Sequence, residues 1–278
     1  MEVVAIVGVG LIGGSFGLAL RASNFTGHII GVSSPRTIDS ACERGAIDRG
    51  EPLELAVPSA DLVYLAQPIQ QILDTLPRLA PLLKPGCLVT DAGSTKAAIA
   101  ARAREVLPAD TFIGGHPMAG KEVSGISAAD PGLFRGRPYL LTPSDRSLLG
   151  GGPGRRFLSL LEGIGARVRV LDAQEHDRLV AQLSHLPQVL STVLAATLER
   201  TAVDPSGIAG PGLTDMTRLA LSSHAVWGDI LVTNRHEIES VLDTFAQELA
   251  AFRLALSTRQ TEDFFDRAGN YARRVRSQ

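Results

Sequence analysis

Apolar residues fall along this chain in two regimes. In the N-terminal part, short continuous apolar runs alternate with longer segments of mixed polarity. The runs are Val3-Val4-Ala5-Ile6-Val7, Ile29-Ile30-Gly31-Val32, Leu62-Val63-Tyr64-Leu65-Ala66 and Cys87-Leu88-Val89-Thr90. Between and after them, Leu11 to Arg21, Thr37 to Arg44, Ile69 to Leu83 and Thr95 to Val106 carry helical spacing. A strand that is apolar on both faces needs cover on both faces, so the alternation predicts a mostly parallel sheet between helical layers. Phe112-Ile113, Tyr139-Leu140-Leu141 and Val168-Arg169-Val170-Leu171 predict strands that lengthen the sheet, and Gly150-Gly151-Gly152-Pro153-Gly154 predicts a surface loop.

After Leu171 the strand pattern stops. Ala173 to Arg200 has helical periodicity, with a kink expected at Pro187. Pro205 to Gly212 reads as a loop, and Leu213 to Leu221 and Ala225 to Thr233 as short helices. From His236 to Leu256, the residues Ile238, Val241, Leu242, Phe245, Leu249, Phe252 and Leu256 form one apolar stripe. Such a stripe packs within the subunit or pairs two subunits, and a homodimer through the helical part is expected. The predicted fold is α/β: a Rossmann-type doubly wound, mostly parallel sheet over residues 1–172, followed by an all-helical domain over 173–278.

The first strand and helix are joined by Gly8-Val9-Gly10-Leu11-Ile12-Gly13, a G-x-G-x-x-G in the strand–turn–helix context where that motif binds a dinucleotide. Gly8 permits the tight turn, Gly10 leaves room for the pyrophosphate, and Gly13 allows close helix–strand packing, with the phosphates meeting free N–H groups of Leu11 and Ile12 at the helix N-terminus. Where an NAD site places a carboxylate after the second strand, this chain has Ser33-Ser34-Pro35-Arg36, and the nearest carboxylate is Asp39. Two hydroxyls and a guanidinium suit a 2′-phosphate, so NADP is the expected cofactor, with NAD possible. Gln67 and Pro68, after the third apolar run, complete the expected cofactor site.

Composition narrows the function classes. Lys and Arg number 27 against 29 Asp and Glu, a net charge of −2, which implies no nucleic-acid or anionic-membrane partner. The two cysteines, Cys42 and Cys87, form no paired spacing, so neither disulfides nor a structural metal site is expected and the compartment reads as reducing. The uncharged Val3 to Leu20 run lacks a preceding positive charge and is interrupted by glycines, unlike a signal peptide. No other stretch reads as approaching the roughly 20 apolar residues of a membrane span, so a soluble cytoplasmic protein is expected.

Three further motifs carry chemistry. Asp91-Ala92-Gly93-Ser94-Thr95-Lys96 follows one strand, and Gly114-Gly115-His116-Pro117-Met118-Ala119-Gly120 follows another. Ser184-His185-Leu186-Pro187 and Asp215-Met216-Thr217-Arg218 lie in the helical part. In order, spacing and composition, over essentially the whole chain, this set resembles the prephenate and arogenate dehydrogenases of tyrosine biosynthesis. The resemblance implies an oxidative decarboxylation with hydride transfer to NAD(P). It casts His116 as acceptor of the ring-hydroxyl proton, Ser94 as the group that orients it and the nicotinamide, and Arg218 as the grip on the substrate side-chain carboxylate. Lys121, Glu122, His185 and Gln188 fall around the substrate. Ser94 is also placed to cap the following helix, and His176 and Asp177 could belong to an exposed helical face.

The chain departs from the family pattern at Gln188, where many members carry histidine, at Thr214, where many carry a basic residue, and at Lys121, usually a small hydroxyl residue. These positions bear on arogenate versus prephenate rather than on the reaction class. Two other readings compete. A two-domain NADP dehydrogenase acting on a 3-hydroxy acid or an imine would need a lysine in the helical part, but the chain has none after Lys121. A non-catalytic NADP-binding regulatory module would not need the set Ser94, His116 and Arg218.

Overall fold

The computed structural model describes residues 1–121, 123–201 and 204–277. Its eight strands are β1 (Val3–Val7), β2 (His28–Val32), β3 (Arg49–Gly50), β4 (Leu62–Leu65), β5 (Leu88–Asp91), β6 (Phe112–Pro117), β7 (Pro138–Pro143) and β8 (Arg167–Val170). They form one sheet in the order β3-β2-β1-β4-β5-β6-β7-β8, parallel throughout except for the β6–β7 pair. The chain runs outward from β1 to β3, then crosses back to place β4 on the other side of β1. That reversal opens a crevice at the carboxyl ends of β1 and β4, where open α/β sheets bind ligands.

The strands alternate their side chains between two apolar layers. Ile6 and Tyr64 point into one, where Phe16 stacks on Tyr64 with ring centroids 4.0 Å apart. Ala5, Val7, Val63 and Leu65 point into the other, against Ile72, Leu76 and Ile99. The layers are supplied by α1 (Leu11–Ala22), α2 (Pro35–Glu43), α3 (Leu53–Ser59), α4 (Ile69–Leu79), α5 (Ala97–Val106) and α6 (Gly152–Gly163).

Helix α6 corrects the expected loop at Gly150 to Gly154, since the helix starts at Gly152 with Pro153 in its first turn. Gly154 serves packing rather than flexibility, because a Cβ there would overlap the Leu148 carbonyl oxygen.

The helical part begins with α7 (Ala173–Val180), one π-helical turn (Ala181–His185) and α8 (Leu186–Arg200). The irregularity lies in the turn just before Pro187, whose missing N–H removes a hydrogen bond to that turn. Ala173–Arg200 is also long and apolar enough to cross a membrane, correcting the expectation that no such stretch exists. Its His176, Asp177, His185, Gln188 and Ser191 are buried, and their polar atoms bond to the rest of the protein, as in a helix of a folded domain. Beyond it come α9 (Pro211–Thr217), a 3₁₀ turn (Arg218–Leu221), α10 (His224–Thr233), α11 (Arg235–Thr258) and α12 (Glu262–Arg276). Along the expected α11 stripe only Ile238 is buried, while Leu249 and Leu256 are each 58% exposed.

Candidate active site

The glycine turn has the geometry its sequence implies. Gly8 adopts a φ of 92°, and a Cβ there would lie 2.8 Å from the Ala66 carbonyl group. A Cβ at Gly13 would overlap the Gly8 carbonyl oxygen, so α1 packs on β1 only because that residue is glycine. At Gly10 a Cβ would meet nothing within 4 Å, which leaves open space at the α1 N-terminus. A cleft of about 360 Å³ opens there, lined by Gly8, Gly10, Ser33, Ser34, Gln67 and Pro68. Leu11 and Ile12 are half-buried in the first turn of α1. These features fit a dinucleotide, with the pyrophosphate at the first N–H groups of α1. Four further lining residues, Thr37, Gln71, Gly125 and Ile126, carry no motif in the sequence. Thr37 Oγ1 lies 2.9 Å from Ser34 Oγ, so the hydroxyls at the end of β2 form a cluster, while Arg36 is exposed on the first turn of α2.

Along the same carboxyl edge, β5 and β6 carry the next two motifs. Asp91 and Lys96 are both fully buried and form an ion pair. Asp91 accepts the Gly93 N–H at 2.8 Å and the Gly115 N–H at 3.1 Å, and Lys96 Nζ donates to the Gly115 carbonyl at 2.7 Å. Burial pulls the Lys96 ammonium below the usual lysine range, and the Asp91 carboxylate opposes that shift. The pair therefore grips both backbone groups of the residue before His116. Gly115 has no space for a side chain, because a Cβ would lie 2.5 Å from the Asp91 carbonyl oxygen.

His116 is 8% exposed, and its Nδ1 lies 2.9 Å from Nε2 of His176. His176 Nδ1 is in turn 2.7 Å from Asp177 Oδ1. Asp177 Oδ1 also accepts the Lys96 N–H at 2.7 Å, and its Oδ2 the Ala97 N–H at 2.9 Å. The N-terminus of α5 is thus capped across the two halves of the chain, not by Ser94, which is half-buried in the preceding turn. His176 and Asp177 are 0% and 3% exposed, correcting their reading as an exposed face.

Burial holds His116 well below the ordinary histidine range, reinforced by the nearby His176, Lys96 and His185. Burial also lowers His176, against the pull of Asp177, and brings His185 to about 4. All three rings are neutral at physiological pH.

The remaining expected contacts divide. His185 Nδ1 lies 3.2 Å from Asn234 Nδ2, which also donates to the Asp177 carbonyl at 2.8 Å. Gln188 Nε2 donates to the Leu219 carbonyl at 2.8 Å, and Ser191 Oγ accepts the Ala220 N–H at 3.0 Å, so α8 holds the turn that begins at Arg218. Lys121 is drawn toward its own loop, pairing with Asp130 at 3.0 Å and donating to the Ala128 carbonyl at 3.1 Å. Glu122 lies outside the described residues. Asp91 and Lys96 lie inside the D-A-G-S-T-K motif without a spacing that declares their pairing, and the adjacent His176-Asp177 pair is the sequence signal for the buried network.

Known proteins resemble this chain over nearly its whole length. A family model described as prephenate dehydrogenase, nucleotide-binding domain, matches residues 16–170, and one described as prephenate dehydrogenase, dimerization domain, matches 172–268. A prephenate dehydrogenase of Lactococcus lactis is 34% identical over 275 residues, 96% of this chain and 75% of the relative. The crystal structure of prephenate dehydrogenase from A. aeolicus with hydroxyphenyl propionate and NAD+ superposes with a TM-score of 0.89 at 29% identity, covering 100% of this chain and 99% of that one. Synechocystis arogenate dehydrogenase gives 0.82 at 30% identity, covering 99% and 100%.

Proposed function

The chain belongs to the prephenate dehydrogenase family, and from that premise we propose which residues carry the reaction and which cofactor and substrate it favours. It is a nicotinamide-dependent oxidoreductase of tyrosine biosynthesis that oxidatively decarboxylates prephenate or arogenate. The observation that carries the assignment of roles is His116: a buried, neutral imidazole at the carboxyl end of β6, on the sheet edge that holds the cofactor cleft. His116 takes the proton of the ring hydroxyl as the carbinol carbon is oxidised. Ser94 orients that hydroxyl, and the Arg218 guanidinium binds the side-chain carboxylate. His185 and Gln188 face the substrate from the helical domain. The glycine turn, Ser33, Ser34, Arg36, Gln67 and Pro68 would hold a nicotinamide cofactor, which would supply the hydride acceptor. Loss of the ring carboxylate then restores aromaticity, so the protein's task is orientation, exclusion of water and one proton acceptor.

NADP is the favoured cofactor, because Ser33, Ser34 and Thr37 replace a carboxylate at the end of β2 with a hydroxyl cluster beside Arg36. Arogenate is the favoured substrate. A carbonyl only accepts, so the Leu219 contact commits the Gln188 amide nitrogen and leaves its oxygen for a donor such as the arogenate ammonium. The test offers arogenate and prephenate, each with NAD and NADP, and follows the reduced cofactor. NADP should be at least about tenfold more efficient than NAD, a ratio that needs only about 1.4 kcal/mol. Arg36→Ala should narrow the gap through the NADP Michaelis constant. Equal efficiencies would overturn the cofactor reading, and turnover of prephenate alone the substrate reading.

The assembly we infer is a homodimer through the helical domain of residues 173–278, with 1–172 as the dinucleotide-binding domain. Val232, Leu254 and Phe265 are 76%, 68% and 69% exposed within one subunit, apolar surface that a second helical domain would cover. Sedimentation at micromolar concentration should give the dimer mass, and a monomer there removes the inference. The unpaired Cys42 and Cys87 support a cytoplasmic setting.

A further inference from the structure

We propose that His176 and Asp177 are positioning residues that lock His116 into the tautomer whose Nε2 is the free base, and that His176 takes over the charge when His116 gains a proton. This rests on the reading of His116 as proton acceptor. The argument runs outward from Asp177. Its carboxylate is buried and accepts two backbone N–H groups at the N-terminus of α5, from Lys96 at 2.7 Å and Ala97 at 2.9 Å. Both of its oxygens are thus already acceptors of backbone N–H groups, and the oxygen that faces His176 is the one that accepts from Lys96. The hydrogen in the 2.7 Å contact with His176 therefore belongs to His176 Nδ1.

A neutral His176 with its hydrogen on Nδ1 has a lone pair on Nε2. The hydrogen in the 2.9 Å contact between the rings must then sit on His116 Nδ1. One ring nitrogen of His116 is thereby assigned as donor, and the other, Nε2, is left as the acceptor for substrate. Without such a partner an imidazole exchanges its hydrogen between both nitrogens, and in one of the two forms Nε2 carries the hydrogen and cannot accept.

The same chain provides for the charged state. When a proton arrives at His116 Nε2, the hydrogen on His116 Nδ1 can pass to His176 Nε2. No bond other than these N–H bonds changes: His116 becomes neutral again, and His176 becomes an imidazolium in direct contact with the Asp177 carboxylate. The charged and titratable groups facing His116 are Lys96 from the β5–α5 turn, His176 from α7 and His185 from the π turn, with Asp91 and Asp177 behind them. Of the carboxylates, Asp177 faces the histidine pair, whereas Asp91 is paired with Lys96.

The experiment compares His176→Leu, which has no acceptor, with His176→Gln, whose amide oxygen reaches the place of Nε2. His176→Leu should lower kcat by about 10–100-fold, the scale seen when a group that orients a functional histidine is lost. Substrate KM and the NADP dissociation constant should stay close to native. His176→Gln should recover part of the lost kcat but not all of it: it restores an acceptor for His116 Nδ1 yet cannot carry the proton, and full recovery would remove the charge-bearing role. Equal losses in both variants, or a loss seen in KM rather than kcat, would overturn the proposal. If the leucine variant does not fold, His176→Gln alone decides, since turnover as low as that of His116→Ala would also overturn it. His116→Ala is measured alongside: native turnover there removes the reading of His116, whereas native turnover in His176→Leu removes only the positioning role.

Discussion

Replacing His116 with alanine is expected to lower turnover by roughly 10²–10⁴-fold, the usual worth of a positioned acid–base group. NADP binding should hold, because the cofactor cleft is built from the β1, β2 and β4 ends and His116 stands at the end of β6. Arg218→Ala supplies the contrast. Loss of a guanidinium that binds a carboxylate in ground and transition state alike raises the substrate KM with little change in kcat. The pH profile carries a second signature. The His116 pKa is depressed by burial, so its base form persists as pH falls through the range where a free histidine protonates. The acid limb of kcat should therefore lie below the ordinary histidine value of about 6.5. Steady-state kinetics with circular dichroism checks all three statements, and a folded His116→Ala enzyme with native turnover would sink the mechanism.

The second large effect is on stability. Lys96→Met removes one partner of a fully buried ion pair and leaves the Asp91 carboxylate uncompensated. Breaking such a pair costs about 3–5 kcal/mol, a large part of the roughly 5–15 kcal/mol that holds a typical domain folded. Asp91 would keep its two N–H donors from Gly93 and Gly115, so the loss should fall at the lower end of that range. The double variant Asp91→Asn with Lys96→Met should lose less than Lys96→Met alone, because no buried charge is stranded. Urea unfolding of the three proteins tests this, and a native midpoint for Lys96→Met would refute it. Activity should fall along with stability, since the same lysine holds the carbonyl of Gly115 next to His116.

Much of the nucleotide-binding half could be read from local pattern. Buried parallel strands are apolar on both faces, and the Gly8–Gly13 turn has a steric reason at each glycine. Helix α6 escaped because its Gly-Pro-Gly start resembles a loop, while the reason for Gly154 is the approach of Leu148 from outside the helix. The roles proposed for His116, Ser94 and Arg218 rest on their motifs. His176 and Asp177 were not legible, since adjacent polar residues at a helix start ordinarily face water. What buries them is a cap on a helix 80 and 81 residues earlier in the chain, a contact with no trace in local spacing. Lys121 failed to declare its partner for the opposite reason: Asp130 is near in sequence but lies across a loop with no periodicity.

The π turn at Ala181–His185 gives chain length a role alongside residue identity. A π turn accommodates one residue more than the α-helix it interrupts, and each helical residue advances by about 100° around the axis. Upstream of it, His176 and Asp177 face inward toward β6 and α5; downstream, Gln188 and Ser191 face inward toward the turn that carries Arg218. Were the same residues wound as one uninterrupted α-helix, the extra residue would rotate one set relative to the other by about a quarter turn. Gln188 and Ser191 would swing away from Leu219 and Ala220 with no residue of the site itself replaced. Along this helix, the way the backbone winds thus belongs to the site as surely as the side chains do.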